Sequence, residues 1–180
     1  MVGRIMGMTR DAILDGALHV LASGGTVSLE SAAKQVGLSK PGVMHHFHTK
    51  EALMLALVDK VAEGWHKELE ERLGGLPEEA SAVQRLGTYV EWCLTGHFDE
   101  ADLVMLADPR LRQSLLGRWA ERMTTWIEVP HNLPLEQRAS LTAARLIAEG
   151  AWFASATNVF SPDAELRAPI RAIAAQLLKG

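Results

Sequence analysis

A chain of 180 residues that is 48% hydrophobic and 22% charged has ordinary globular usage, so disordered, collagen-like and disulfide-scaffold classes are excluded and two compact units are the upper bound. Its one cysteine, Cys93, has no second thiol for a disulfide or a CxxC site and reads as a buried structural residue. The formal charge of −4 argues at first against nucleic acid, no apolar run reaches the length of a membrane span, and MVGRIMGM is too short and interrupted for a secretory leader, which places the chain in the cytoplasm.

Helix is predicted almost throughout. Thr9 caps a first helix with Ile13, Ala17, Val20 and Leu21 at helical spacing, and Gly24-Gly25 stops it. Ser28 caps a short helix over 29–36, ended by Gly37, and Ser39 caps another over 40–47, where Pro41 falls in the first turn and its missing N–H costs nothing. Thr49 caps a long helix to about residue 73, with Leu53, Leu57, Val61, Trp65 and Leu69 on one row. After the GGLP break come a helix over 78–96, a short one over 99–107, and one starting at Pro109 that carries Leu111, Leu115, Trp119, Met123 and Ile127 as far as the PHNLP loop. The helix over 135–160 is apolar almost all round, with Arg145, Glu149 and Trp152 on a different face, so it must be covered on more than one side. A last helix opens at Ser161-Pro162, and Pro169 kinks or splits it. No strand pattern, repeat or low-complexity tract competes.

Charge is distributed unevenly along this all-α chain. The first sixty residues hold six Lys/Arg against five Asp/Glu, net +1, and the rest hold twelve against seventeen, net −5. Four of seven histidines lie in the first part and all five tryptophans in the second, which suggests two parts with different work.

The two short helices, joined through Val36-Gly37-Leu38, have the spacing of a helix-turn-helix. Ala32 and Ala33 let the helices cross closely, Gly37 takes the positive-φ turn, and Leu38 and Val43 plug the joint. The second helix then lies in a DNA major groove. Ser28 and Ser39 offer helix N-termini to phosphates, Lys40 reaches guanine or a phosphate, and thin Pro41 and Gly42 allow close approach. A metal site is the alternative: His45 and His48 share a helix face, but His46 points about 100° away and no carboxylate or thiol stands at ligand spacing. Nothing ties Cys93 or any serine to these histidines for catalysis, so no catalytic residue, metal or cofactor is expected. His46 is expected to pack behind the helix, and His45 to contact DNA.

Residues 9–57 resemble the DNA-binding domain of TetR-type transcriptional regulators. The matching elements are Gly25, Ala32-Ala33, Gly37-Leu38-Ser39, Met44-His45-His46-Phe47 and Lys50-Glu51-Ala52-Leu53. The resemblance implies phosphate contacts from Ser28, Ser39, His45, Thr49 and Lys50, and base contacts from Lys40, Pro41 and Gly42. Met44 stands where the family usually has a phosphate-binding tyrosine, which shifts that contact toward His45, and Ala32 replaces a larger aliphatic residue. It further implies about nine helices, with a DNA-binding domain over 1–55 and a ligand-binding and dimerisation domain over 56–180. Family members act as homodimers, usually repressors, released from an operator by a small molecule.

A lone recognition helix with so few basic residues binds weakly, so two copies are expected. Ala144, Ala148, Ala151 and Ser155, with Ile170, Ile173 and Leu177 of the last helix, form a candidate isologous interface; the alternative is that this face packs inside one subunit. The helices that surround the family's pocket carry Trp65, Tyr89, Trp92, Trp119, Met123, Trp126 and Trp152. Aromatic walls suit a small hydrophobic or lipophilic cationic effector, with Glu91 or Glu149 as counter-charge. Core packing is the alternative for each tryptophan, as is an ion pair with Arg145 for Glu149. Trp126 and Trp152 are the favoured pocket residues.

Overall fold

The computed structural model describes the backbone of residues 2–179 and the side chains of residues 10–179. Among these the chain forms eight α-helices, two 3₁₀ helices and no strand. None of the described helices is long and apolar enough to cross a membrane. Two compact units are present, one from Met1–Glu63 and Asp99–Glu121, the other from Gly64–Phe98 and Arg122–Gly180.

In the first unit α1 (Val2–Ala22) packs on α2 (Leu29–Gln35), and α2 on α3 (Lys40–His46). The first helix starts upstream of the expected cap Thr9, whose side chain lies outside the described residues. Each short helix is capped as the sequence predicts: Ser28 accepts the Ser31 N–H at 3.0 Å and Ser39 the Gly42 N–H at 3.3 Å. Ser31 returns the first bond, its hydroxyl accepting the Ser28 N–H at 2.9 Å, so a serine completes the capping box where Glu or Gln is usual. Gly37, at φ +69°, ends α2 in a Schellman motif: its N–H reaches the Lys34 carbonyl, and that of Leu38 the Ala33 carbonyl at 2.9 Å.

Gly16 has a separate structural role. A Cβ there would lie 2.5 Å from Val36 Cγ1, so the absent side chain sets how closely α1 approaches the end of α2. Ile13, Ala17, Ala32, Val43, Leu53 and Leu57 fill the core beneath. Leu38, expected to plug the joint with Val43, is exposed instead, because the Schellman turn directs the chain outward at that point. The α4 helix (Lys50–Leu73) begins in this unit, followed later in the chain by the 3₁₀ segment Glu100–Leu106. That segment was expected as α-helix. The departure lies at Leu103, whose φ −93° and ψ 18° break the helix within it.

The second unit holds the remainder of α4, the 3₁₀ turn Pro77–Glu79, α5 (Ala82–Thr95), the end of α6 (Arg112–Ile127), α7 (Leu135–Thr157) and α8 (Ala164–Leu177). The expected single helix over 78–96 is divided because Ser81 and Gln84 form a new capping box, which starts α5 afresh. Likewise α6 starts at Arg112 rather than Pro109, since Asp108 accepts the Arg110 N–H at 2.8 Å in the preceding turn. The end of α7 comes at Asn158, which takes φ +54°, three residues short of expectation's loop at Ser161. Asp163 caps α8 and Pro169 lies inside one continuous helix, so it does not split it. α7 packs against both α5 and α8.

Candidate nucleic-acid interface and effector site

Val43, 0% exposed, and Phe47 anchor α3 from beneath and turn its other face to solvent. On that face Ser39, Lys40, Pro41, Met44 and His45 are exposed, as are His48 and Thr49 just beyond, while Gly42 is half-buried. His46 is half-buried, its ring edge-on to His45 at 5.4 Å. The Arg10 guanidinium lies 4.5 Å over the Phe47 ring and donates to the His46 carbonyl at 3.4 Å, which ties α1 to the C-terminal end of α3. Sequence reasoning missed Arg10, since nothing local links it to a helix thirty residues on.

The hydroxyls assigned to DNA also serve the fold. Ser28, Ser39 and Thr49 each accept a backbone N–H, that of Thr49 coming from Ala52 at 3.0 Å. The Ser28 hydroxyl also donates to Ser31 Oγ at 3.4 Å, whereas a hydroxyl that only accepts in its cap, as at Ser39 and Thr49, keeps an O–H to donate outward, so capping and phosphate contact are compatible there.

Both lysines of the face are ion-paired. Lys40 binds Glu30 of α2, and its ammonium holds that exposed carboxyl below the usual carboxylate range. Lys50 binds Asp108 at 2.6 Å; here too the lysine is the chief cause of a lowered carboxyl pKa, assisted by the Arg110 N–H. Asp108 is 7% exposed. Among the described residues no three His, Cys, Asp or Glu side chains converge as a metal site, so the histidine-metal alternative finds no ligand set.

In the second unit four of the expected effector residues come together. The Trp65 ring lies 4.5 Å from that of Trp92 and 5.4 Å from that of Trp152, and Tyr89 is 6.3 Å from Trp92. Phe98, which the sequence did not single out, completes the cluster at 4.9 Å from Trp92. Trp92 donates its indole N–H to Glu68 at 2.8 Å. The buried Trp152 N–H has no acceptor among the described residues, a polar group left without a partner. Burial raises the Glu149 pKa, against the opposing pull of Arg145, whose Nε is 3.5 Å away. Burial likewise pushes the Tyr89 hydroxyl and the Cys93 thiol upward.

The other expected positions lie elsewhere. Trp126 is fully covered and donates to His66 Nδ1 at 3.1 Å; because an indole N–H only donates, His66 carries its proton on Nε2 and gives it to the Arg122 carbonyl at 2.8 Å. Trp126 and Met123 are buried, and Trp119 belongs to the first unit. Glu91 is bound by Arg171 through two bonds, at 3.1 and 2.5 Å, on the exposed side of α5.

Ala144 and Ala148, expected on a dimer interface, are 0% exposed and covered within the chain, out of a partner's reach. Ala151 and Ser155 line a cavity of about 90 Å³ with Cys93, His97 and Arg167. The exposed apolar face of α7 and α8 is shifted around the helix: Ile147, Ala154, Phe160, Ile170 and Ile173 line a groove of about 390 Å³. Leu177 is half-buried at the end of α8. Phe160 is 97% exposed and holds φ +53°, an unfavourable backbone for an aromatic residue.

Residues 13–57 match the family described as bacterial regulatory proteins, tetR family, and residues 84–179 match the tetracyclin repressor-like C-terminal domain. A solved structure described as a member of the TetR family, from Streptomyces coelicolor A3, aligns at a TM-score of 0.57 with 19% identity. The alignment covers 93% of this chain and 96% of that one, and the likeness is one of fold. No curated protein matches the sequence.

Proposed function

The chain belongs to the tetR family of bacterial regulatory proteins, making it a helix-turn-helix transcription regulator, and on that premise we propose that it is a repressor acting as a homodimer on a palindromic operator. The observation that carries this reading is the outward face of α3, where Ser39, Lys40, Pro41, Met44 and His45 are exposed above the buried Val43 and Phe47. Lys40, Pro41 and Gly42 meet base edges, and Ser28, Ser39, His45, Thr49 and Lys50 meet phosphates. DNA binding occupies about residues 1–55, and effector binding with dimerisation about 56–180.

Two copies associate through α7 and α8. The support is the apolar groove there together with exposed Phe160 and Ile173, a patch of the kind that monomers seldom leave open. The effector is a small hydrophobic or lipophilic cationic molecule that opens the cluster of Trp65, Tyr89, Trp92 and Trp152, accepts the free Trp152 N–H and faces Glu149. The helix α4 starts at Lys50, directly after its cap Thr49, and carries Trp65 further along, so a displacement at the rings biases the reading head.

Selection of bound duplexes from a randomised library at moderate salt tests the reading. A palindrome with half-sites about 34–36 Å apart, or a multiple, whose binding is lost on Lys40→Ala, is the expected result. No enrichment by folded, ligand-free protein overturns it.

A further inference from the structure

We propose that Glu30 is a specificity-determining residue, which cancels the charge of Lys40 toward arbitrary DNA and aims its ammonium at a base. The proposal rests on the DNA-binding reading above. Glu30 is in the first turn of α2 and binds Lys40 at the N-terminus of α3. Stability does not account for the pair: the side chains are 61% and 49% exposed, and such surface pairs contribute little. The Ser28–Ser31 capping box starts α2 without Glu30, whose carboxylate adds only its own backbone N–H and the Ser28 side chain as local partners beside Lys40.

Lys40 is the only Lys or Arg of α3. Bound to Glu30, it makes a neutral unit at the tip of the reading head. Non-specific attraction to DNA is almost wholly the neutralisation of phosphates by cations, so a cancelled cation withholds one such contact. Reading a base is different. An ammonium has three donors; Glu30 occupies one, and guanine O6 and N7 accept the other two. The long lysine stem is also restrained by the carboxylate, which lowers the entropy lost on docking. Glu30 therefore weakens binding to arbitrary sequence while preserving the contact at the operator.

The test measures fluorescence anisotropy of full-length wild type, Glu30→Gln, Lys40→Met and the double variant, on the selected operator and on a scrambled duplex, between about 0.05 and 0.2 M salt. One released phosphate contact changes the salt slope by about 0.9 and affinity by about fivefold at 0.15 M. A dimer carries two Lys40 side chains, so Glu30→Gln is expected to bind the scrambled duplex about thirtyfold more tightly with a slope steeper by about two, to leave operator affinity unchanged or reduced, and so to narrow discrimination about thirtyfold. In the Lys40→Met background, where operator binding is lost, the same substitution is expected to leave binding to the scrambled duplex unchanged. Equal gains on both duplexes, no gain on either, or a gain that survives Lys40→Met each overturn the role of Glu30. A wild type that binds no duplex at low salt overturns the regulator reading instead.

Discussion

Replacing Asp108 with Asn isolates one ion pair by its pH dependence. The carboxylate receives the Lys50 ammonium at 2.6 Å and the Arg110 N–H at 2.8 Å, and is 7% exposed. An amide keeps a carbonyl for Arg110 but loses the charge that holds Lys50. Hydrogen bonds to charged groups contribute roughly 1.5–3 kcal/mol. Because the lysine side chain is 38% exposed and water replaces part of what it loses, the expected cost near neutral pH is about 1 kcal/mol. The folded pKa of Asp108 lies below its ordinary 3.8. Its contribution is thus fully present above the unfolded value and fades as pH falls through the folded one. Urea unfolding followed by circular dichroism at several pH values between 7 and 3 should show the deficit of Asp108→Asn constant down to about pH 4 and shrinking below it. A deficit of constant size across that range would refute the reasoning and assign the loss to the turn that Asp108 caps.

Further outcomes follow from packing. Gly16→Ala gains helix propensity of roughly 1 kcal/mol but meets Val36 at 2.5 Å, so a net loss of about 1–2 kcal/mol is expected by chemical denaturation; a net gain would show that α2 moves freely. Trp126→Phe leaves His66 Nδ1 without its donor and loses ring volume, for about 2–3 kcal/mol in a thermal melt; unchanged stability with altered effector response would return Trp126 to the pocket. Ile173→Glu, in the α7–α8 groove, is expected to convert a dimer to a folded monomer by analytical ultracentrifugation and to abolish operator binding; a dimer that persists would move the interface elsewhere.

What the sequence discloses here is mostly local. Ser28, Ser39, Gly37 and Pro41 mark helix ends through their own backbone chemistry, and they place the reading head nearly to the residue. The ion pairs of Lys40 and Lys50 are not legible, because Glu30 and Asp108 reach them only through tertiary packing. That the chain itself covers Ala144 and Ala148 is not legible for a similar reason: a helix apolar on nearly every side gives no sign of which stripe is covered from within. Phe98 escaped notice because it stands in a loop, outside any helical row. Trp126 is favoured for the pocket because it lies off the main apolar row of its helix, and the acceptor that His66 offers its indole N–H sixty residues away is not visible in the sequence.

Cys93 gives the molecule a practical property. The thiol is 3% exposed and its deprotonation is disfavoured by burial, so it reacts slowly with alkylating and spin-labelling reagents, which require thiolate. His48 is exposed on the loop leading into α4. With no background thiol to compete, His48→Cys would accept a nitroxide at one defined position per chain, and the spacing of two reading heads in an assembled pair would become directly measurable by pulsed electron resonance, with and without effector.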